Sequence, residues 1–181
     1  MPTPRINREQ ENLTHFVTCT VIDWIDIFTK SDYFELLVNS LAYCREYKGL
    51  LLYEYVIMTN HIHFIVRAKE GYKLSQVLND FKKFTTREIF NRLQKDNRRY
   101  ILNLLNNSFH KKESCERQVW QRENYPEAIL SQNFLDEKIT YLYNNPVKRV
   151  WVSKPEDWLD SSARNRILGR QEVIVVDDYE G

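Results

Sequence analysis

Two histidines separated by one residue, His61 and His63, are the side chains best suited to chemistry in this 181-residue chain. They begin an apolar run, His61 to Val66, whose composition predicts a β-strand. Side chains alternate between the two faces of a strand, so we expect both imidazoles on one face. Two neutral imidazoles placed in this way can hold a divalent metal ion, although so short a pattern also suits structural histidines.

A tyrosine and an asparagine four residues apart could complete such a site. Tyr141 and Asn145 lie near the end of a helical pattern, and helical periodicity puts them on one side, with Tyr143 about 200° away. The Asn145 amide oxygen is a candidate third ligand, and two imidazoles with one such oxygen suit Mg²⁺ or Mn²⁺. The Tyr141 phenol could then attack a phosphodiester and retain the phosphate as a covalent ester, although aromatic residues beside an apolar helix face usually only pack.

Positive charge is concentrated in the middle of the chain, although the net charge is only +1. Residues 73–122 carry twelve Lys or Arg against five Asp or Glu, whereas residues 154–181 carry four against seven. A basic segment suits a phosphate backbone, but it also suits a solvated helix face. The candidate DNA-phosphate contacts are Lys82, Lys83, Arg87, Lys148 and Arg149.

Bulk composition indicates one globular domain, with 43% hydrophobic and 13% aromatic residues. No apolar run approaches the roughly 20 residues of a membrane span, and the first residues do not resemble a signal peptide. We therefore expect a cytoplasmic protein with no membrane association. Cys19, Cys44 and Cys115 are odd in number and lack CxxC spacing, which indicates reduced thiols and argues against a zinc finger.

The hydrophobic patterns predict a strand, a helix, a tight hairpin of two strands, a helix and a last strand, followed by a further helix. Their expected positions are a strand at 15–22, a helix with an Asp32/Glu35 capping pair, strands at 50–58 and 61–66, a helix at 74–93 capped by Ser75, a strand at 119–121 and a helix limited by Pro146. This order predicts an α+β, ferredoxin-like split βαβ fold with an antiparallel sheet and helices on one face. The appended C-terminal helix would carry Tyr141 over the other, open face.

Within the chain we expect a loose N-terminal segment at 1–12, a single domain at 13–165 and an acidic C-terminal tail at 166–181. The domain contains several sequence blocks that together resemble one family, the HUH single-tyrosine transposases. The blocks are Val56–Val66 with its His-Ile-His core, Phe81–Thr85, Val119–Arg122, Tyr141–Lys148, Pro155–Trp158 and Ser161–Ser162. The 119–122 and 155–158 blocks resemble the REP-associated branch more than the branch of mobile insertion sequences.

The resemblance implies a ferredoxin-like fold, His61 and His63 as metal ligands, Tyr141 as the nucleophile and Asn145 as the third polar ligand. It also implies cleavage and rejoining of single-stranded DNA, often beside a hairpin, through a 5′-phosphotyrosine link. It leaves the oligomeric state open between a monomer and a homodimer. Two departures from the family pattern, at 124–127 and in the long 95–116 segment, concern the DNA path and not the chemistry.

Three other functions remain open from the sequence. A replication-initiator or relaxase-type HUH endonuclease would share the histidine pair and the tyrosine. A domesticated protein could bind hairpin DNA without cleaving it. A metal-dependent hydrolase with a water nucleophile would use the same metal ligands but would not need Tyr141.

Overall fold

The computed structural model describes residue 6 and residues 10–110, 117–171 and 173–179, with only the backbone described at 109–110. Four strands form one sheet: β1 (His15–Thr20), β2 (Leu50–Ile57), β3 (His61–Ala68) and β4 (Glu127–Ala128). Six helices accompany them: α1 (Ser31–Tyr47), α2 (Leu74–Lys95), α3 (Arg99–His110), α4 (Gln132–Tyr143), α5 (Asn145–Lys148) and α6 (Ala163–Leu168). Short 3-10 turns lie at Ile22–Trp24 and Pro155–Asp157.

The strand order is β2-β3-β1-β4, and every neighbouring pair is antiparallel. The first and second strands flank β3, while the third and fourth flank β1, so two split βαβ units interlock as in a ferredoxin-like fold. The predicted α+β fold is therefore confirmed. The tight turn between β2 and β3 brings His61 to the start of its strand, where it pairs with Thr20, and His63 pairs with Thr18.

The last strand was predicted at the wrong place. Trp120 makes only an isolated bridge with Val21, and the strand that pairs with β1 is the two-residue β4. The 119–121 segment still follows the sheet edge, because the Gln121 amide donates to the carbonyl oxygen of Thr20. Pro126, which has no N–H group to donate, directly precedes β4.

Neither of the two predicted helix caps is present. Helix α1 begins after Lys30 without a side-chain cap, and Asp32 lies inside its first turn. At the start of α2, the amide and hydroxyl of Ser75 both donate to the Glu11 carboxylate. A carboxylate at this position satisfies an otherwise unpaired helix N–H group and complements the positive end of the helix dipole.

The sheet separates two apolar clusters. Helices α1 and α2 cover one face, where the core includes Leu37, Leu41, Phe64, Val77 and Phe81. Helix α4 covers the other face, where Leu142 packs with Phe16, Tyr53, Val56, Met58 and Ile65. The face expected to be open is therefore partly closed by the appended helix.

The outer edge of β2 is covered by the C-terminal part of the chain. The Ser162 amide donates to the Tyr55 carbonyl, the Tyr55 amide donates to the Ser162 hydroxyl, and the Ile57 amide donates to the Asp160 carbonyl. Farther along, the Asp177 amide donates to the carbonyl of Leu52. Residues on both sides of the predicted domain boundary at 165 therefore pack together.

Parts of the sequence-based predictions concern residues outside the described ranges. These are residues 1–5 and 7–9 of the predicted loose segment, residues 172, 180 and 181 of the predicted acidic tail, and Cys115. The 95–116 segment, which the sequence left unassigned, contains helix α3. Among the described residues, no helix combines the length and apolar character needed to cross a bilayer.

Candidate active site

Strand β3 places the two histidines side by side, with 4.8 Å between their ring centroids. The predicted shared face is thus observed, but the imidazoles are not on an open surface: His61 is 4% and His63 is 5% exposed. Trp24 packs edge-on against His61, and Phe16 stacks on His63. These aromatic rings come from other parts of the chain. The alternation of residues in β3 therefore could not predict that they cover the histidine pair.

The ring of His61 is oriented by the residue before it. Nδ1 of His61 lies 2.7 Å from Oδ1 of Asn60, whose own amide nitrogen donates to the Trp24 carbonyl at 3.1 Å. Because that second bond fixes which amide atom is the oxygen, Nδ1 of His61 must be the donor. In the neutral imidazole, Nε2 then keeps its lone pair and can coordinate a metal ion.

His63 is held in a similar way by the neighbouring strand. Its Nδ1 lies 2.8 Å from Oγ1 of Thr18. Its Nε2 is buried and has no hydrogen-bond partner among the described residues. An unpaired buried nitrogen is costly in a folded protein and calls for a ligand, so the donor set fits a divalent cation.

Both imidazoles are neutral near pH 7, as metal ligation requires. Burial, together with the positive charge of Arg149, lowers the pKa of His61 to about 4, although a hydrogen bond with Asn145 acts in the opposite direction. Burial lowers the pKa of His63 well below its ordinary value, and the charges of His61 and Lys138 add to this. Both imidazoles can therefore bind a metal cation without first losing a proton.

Helix α4 and the short helix after it bring the predicted tyrosine and asparagine to the histidines. The ring centroid of Tyr141 lies 5.2 Å from that of His63, and Tyr141 remains 41% exposed. Asn145 is buried, and its side-chain amide lies close enough to His61 to raise the pKa of that imidazole. Pro146 was expected to end the helix that carries Tyr141. Instead it lies in the first turn of the next helix, α5, where its missing N–H group costs nothing.

No three side chains from histidine, cysteine, aspartate and glutamate converge on a common point in the described part of the chain. A metal held by His61 and His63 would therefore need a third ligand of another type. The Asn145 amide is such a group, and it already contacts His61.

Tyr143, the other tyrosine of this motif, has a different environment. Its hydroxyl donates at 2.8 Å to Oε2 of Glu54, which also accepts a hydrogen bond from Ser162. Tyr143 thus anchors the end of α4 to strand β2, which agrees with the expectation that it points away from Tyr141.

Three cations surround the histidines and Tyr141, and one of them was not predicted. Lys148 lies with its Nζ 5.4 Å from the centre of the Tyr141 ring, and the charge of Arg149 acts on His61. Lys138, the missed residue, lies over the Phe16 ring and forms a 2.8 Å ion pair with Glu127. Its position three residues before Tyr141 could have indicated a nearby cation, but only the fold shows that it faces His63.

The other predicted phosphate contacts lie along α2. Lys83 and Arg87 line a groove of about 700 Å³, which also includes Arg117 and Arg122. Lys82 differs from them, since its ammonium group is mostly buried and donates at 2.7 Å to the Gln121 carbonyl. This bond ties α2 to the 119–122 segment, although Lys82 also lines the same groove. A contact between Lys82 and DNA stays a prediction.

Comparison with known families adds to this geometry. The model of the family described as "Transposase IS200 like" matches residues 10–127, more than half of the chain. The chain belongs to this family of IS200-like transposases. The matched region contains both histidines and ends before the helix that carries Tyr141. Membership makes the protein a DNA-binding transposase, an enzyme class that processes DNA.

One solved structure shows the same fold, and a second is only loosely similar. A REP-associated tyrosine transposase, solved bound to a REP hairpin, shares 20% sequence identity and superposes with a TM-score of 0.67 over 100% of this chain and 94% of its own. A transposase candidate from Deinococcus radiodurans R1 shares 13% identity, with a TM-score of 0.46 over 80% of this chain and 97% of its own. No curated protein sequence matches this chain significantly.

Proposed function

We propose that this transposase cleaves and rejoins single-stranded DNA beside a hairpin through a 5′-phosphotyrosine intermediate. One observation supports this most strongly: the exposed Tyr141 lies next to His63, whose buried Nε2 lacks a partner among the described residues. A nucleophile and a vacant coordinating atom therefore share one site.

In this proposal, His61 and His63 would hold Mg²⁺ or Mn²⁺ through their Nε2 atoms, and the Asn145 amide oxygen would be the third protein ligand. The cation would polarise the scissile phosphate and offset the charge that develops on it. Asn60 keeps His61 in the required tautomer, and Thr18 holds the orientation of the His63 ring.

Tyr141 acts as the nucleophile. Its phenolic oxygen gives up its proton and forms a bond to phosphorus while the bond from phosphorus to the 3′ oxygen of the preceding nucleotide breaks, and the departing 3′ oxygen takes up a proton. One DNA end then carries a free 3′ hydroxyl, and the other stays attached to the tyrosine through its 5′ phosphate. Because the ester conserves the energy of the broken bond, attack by a 3′ hydroxyl rejoins DNA without ATP.

The proposed DNA partner is a single strand that adjoins a hairpin. Lys148 and Arg149 beside the site would contact phosphates near the cleaved bond, and Lys83 and Arg87 would contact the backbone along the α2 groove. A hairpin substrate is supported by the related fold of the transposase solved with a REP hairpin.

Covalent capture tests the proposal. A 5′-labelled and a 3′-labelled DNA hairpin with single-stranded flanks are incubated with the full chain and Mg²⁺ or Mn²⁺, then separated on a denaturing protein gel. We expect the label to migrate with the protein only when it lies 3′ of the cut. Cleavage without an adduct would instead indicate a water nucleophile, and hairpin binding without cleavage would indicate a domesticated DNA-binding protein.

A further inference from the structure

An exposed tryptophan stands beside the histidine pair. Trp24 is 54% exposed, and its ring centroid lies 5.6 Å from that of His61 in an edge-to-face arrangement. Single exposed aromatic residues are common on protein surfaces and need no explanation by themselves. Trp24 differs from them in two respects: it contacts His61, a candidate metal ligand, and its backbone has an uncommon conformation.

The backbone at this tryptophan is strained. Asp23 and Trp24 have φ values of 51° and 56°, in the left-handed region that non-glycine residues rarely adopt. Strain of this kind costs of order 1 kcal/mol or more per residue, and it persists where the surrounding structure enforces it, often at ligand sites. Two successive residues in this conformation indicate that the surrounding structure holds the turn in place.

Several hydrogen bonds enforce the strained turn. The Trp24 amide donates to the Val21 carbonyl, and the Trp24 carbonyl accepts from the side chain of Asn60. On the preceding residue, the Asp23 carboxylate accepts at 2.6 Å from the Ser108 hydroxyl of α3. The indole thus projects from an anchored backbone, so little backbone entropy remains to be lost when it binds a partner.

We propose that Trp24 is a stacking platform for an unpaired DNA base next to the scissile phosphate. This inference rests on the proposed function, since it places the base on the strand that Tyr141 would attack. A flat aromatic face binds bases through stacking without reading their sequence. In a duplex, both faces of a base are covered by its neighbours, so this platform selects single-stranded DNA.

The charges around the indole support this occupant over an apolar peptide. Arg149 acts electrostatically on His61, the imidazole that Trp24 contacts, ahead of the opposite effect of Asp26, and Lys138 acts on His63. Lys148 lies over Tyr141 on the far side of His63. Cations of this kind suit the phosphates of a strand whose base rests on Trp24, whereas an apolar peptide gains nothing from them.

Abasic scanning tests the platform. The probe is a fluorescein-labelled DNA hairpin with a 5′ oligothymidine extension, and its binding is followed by anisotropy in the Tyr141→Phe protein, which prevents capture. We expect Trp24→Ala to weaken binding by about 5- to 150-fold, the range for loss of one stacked base. Trp24→Phe, which keeps an aromatic face, should retain most of the affinity. Tyr47→Ala, which removes an aromatic residue of similar exposure from α1 on the other side of the sheet, should leave it unchanged.

The decisive comparison pairs each protein with probes that lack one base at a time. In the protein that retains Trp24, removal of one particular base should weaken binding. In the Trp24→Ala protein, removal of the same base should leave the affinity unchanged. This coupling is insensitive to a general loss of affinity through misfolding. Equal abasic effects in both proteins would overturn the inference. The covalent-capture assay with intact Tyr141 is independent, so a missing adduct would refute the proposed chemistry and leave the stacking result standing.

Discussion

The hydroxyl of Tyr143 lies 2.8 Å from Oε2 of Glu54, a carboxylate that is only 1% exposed. Burial and the adjacent carboxylate raise the pKa of Tyr143, so its phenol stays protonated. Tyr141, two residues earlier, is exposed beside His63 and has no such anchor in the described hydrogen bonds. The two tyrosines of one motif thus have different roles: one fixes the helix and the other faces the site.

The first prediction separates these roles. Tyr141→Phe should bind hairpin DNA and metal normally but form no covalent adduct, because only the nucleophilic oxygen is lost. Tyr143→Phe should still form the adduct, but its free energy of unfolding should fall by about 1.5–3 kcal/mol, the usual worth of a hydrogen bond to a charged group. Denaturing gels and urea unfolding measure the two effects. An adduct that maps to Tyr143, or normal cleavage by Tyr141→Phe, would refute the assignment.

A second prediction concerns the tautomer of His61. Asn60→Ala removes the acceptor at Nδ1, so the ring can rotate or present N–H to the cation. We expect Mn²⁺ affinity to fall about 10- to 100-fold, as for other groups that orient a metal ligand. Isothermal titration with Mn²⁺ in the absence of DNA measures this directly. Asn39→Ala on α1, behind the sheet, is the matched control and should bind Mn²⁺ like the parent; an equal loss in both would argue against orientation by Asn60.

Removal of two groove cations gives a third prediction. Each lost phosphate contact lowers the magnitude of the slope of log affinity against log salt by about 0.7 for a single strand, so Lys83→Ala with Arg87→Ala should lower that magnitude by about 1.4. Lys82→Ala should instead lower the thermal stability, because its ammonium group bonds to the Gln121 carbonyl. An unchanged slope in the double variant would remove the α2 groove from the DNA path.

The fourth prediction is a pH effect on stability. Burial, with the nearby charge of Glu35, raises the pKa of Asp160 to about 6 in the folded protein, above its ordinary value of 3.8. The folded state thus holds this proton more tightly, and the contribution to stability is full below about pH 4 and lost as the pH rises through 6. Asp160→Asn should therefore stabilise the protein at pH 7 by about 1–2 kcal/mol, a value discounted for partial exposure.

Urea unfolding at a series of pH values checks this effect. The stability difference between Asp160→Asn and the parent should be near zero at pH 4 and grow toward pH 7. Asp157→Asn, which removes the same charge three residues away in a 3-10 turn, is the control. A stability difference that does not vary with pH would show that burial does not destabilise the charged carboxylate of Asp160.

Local patterns in the sequence were sufficient to predict most of the framework. The alternation at His61–Val66 and the short Thr59-Asn60 turn fixed the central hairpin, and helical spacing at Leu135, Ile139 and Leu142 located α4. The mutual position of Tyr141 and Asn145 also followed from helical periodicity, and the structure brings both to the histidines.

The features that were missed depend on tertiary contacts. Strand β4 has only two residues, too few for any alternation to be visible. The burial of the histidine pair depends on Trp24, Phe16 and α4, which are remote from it in the sequence. Asn60 could have been noticed, because an amide directly beside a candidate ligand is suited to orient it.

The covered outer edge of β2 also limits how two copies of this chain could associate. An uncovered edge strand offers a row of unpaired N–H and C=O groups to any matching strand. Here Ser162, Asp160 and Asp177 of the same chain form hydrogen bonds with those groups of β2. Two molecules therefore cannot merge their sheets through β2 without first displacing the segment around α6. A homodimer of this transposase would have to form on another surface, and the same closure protects the β2 edge from strand-mediated aggregation.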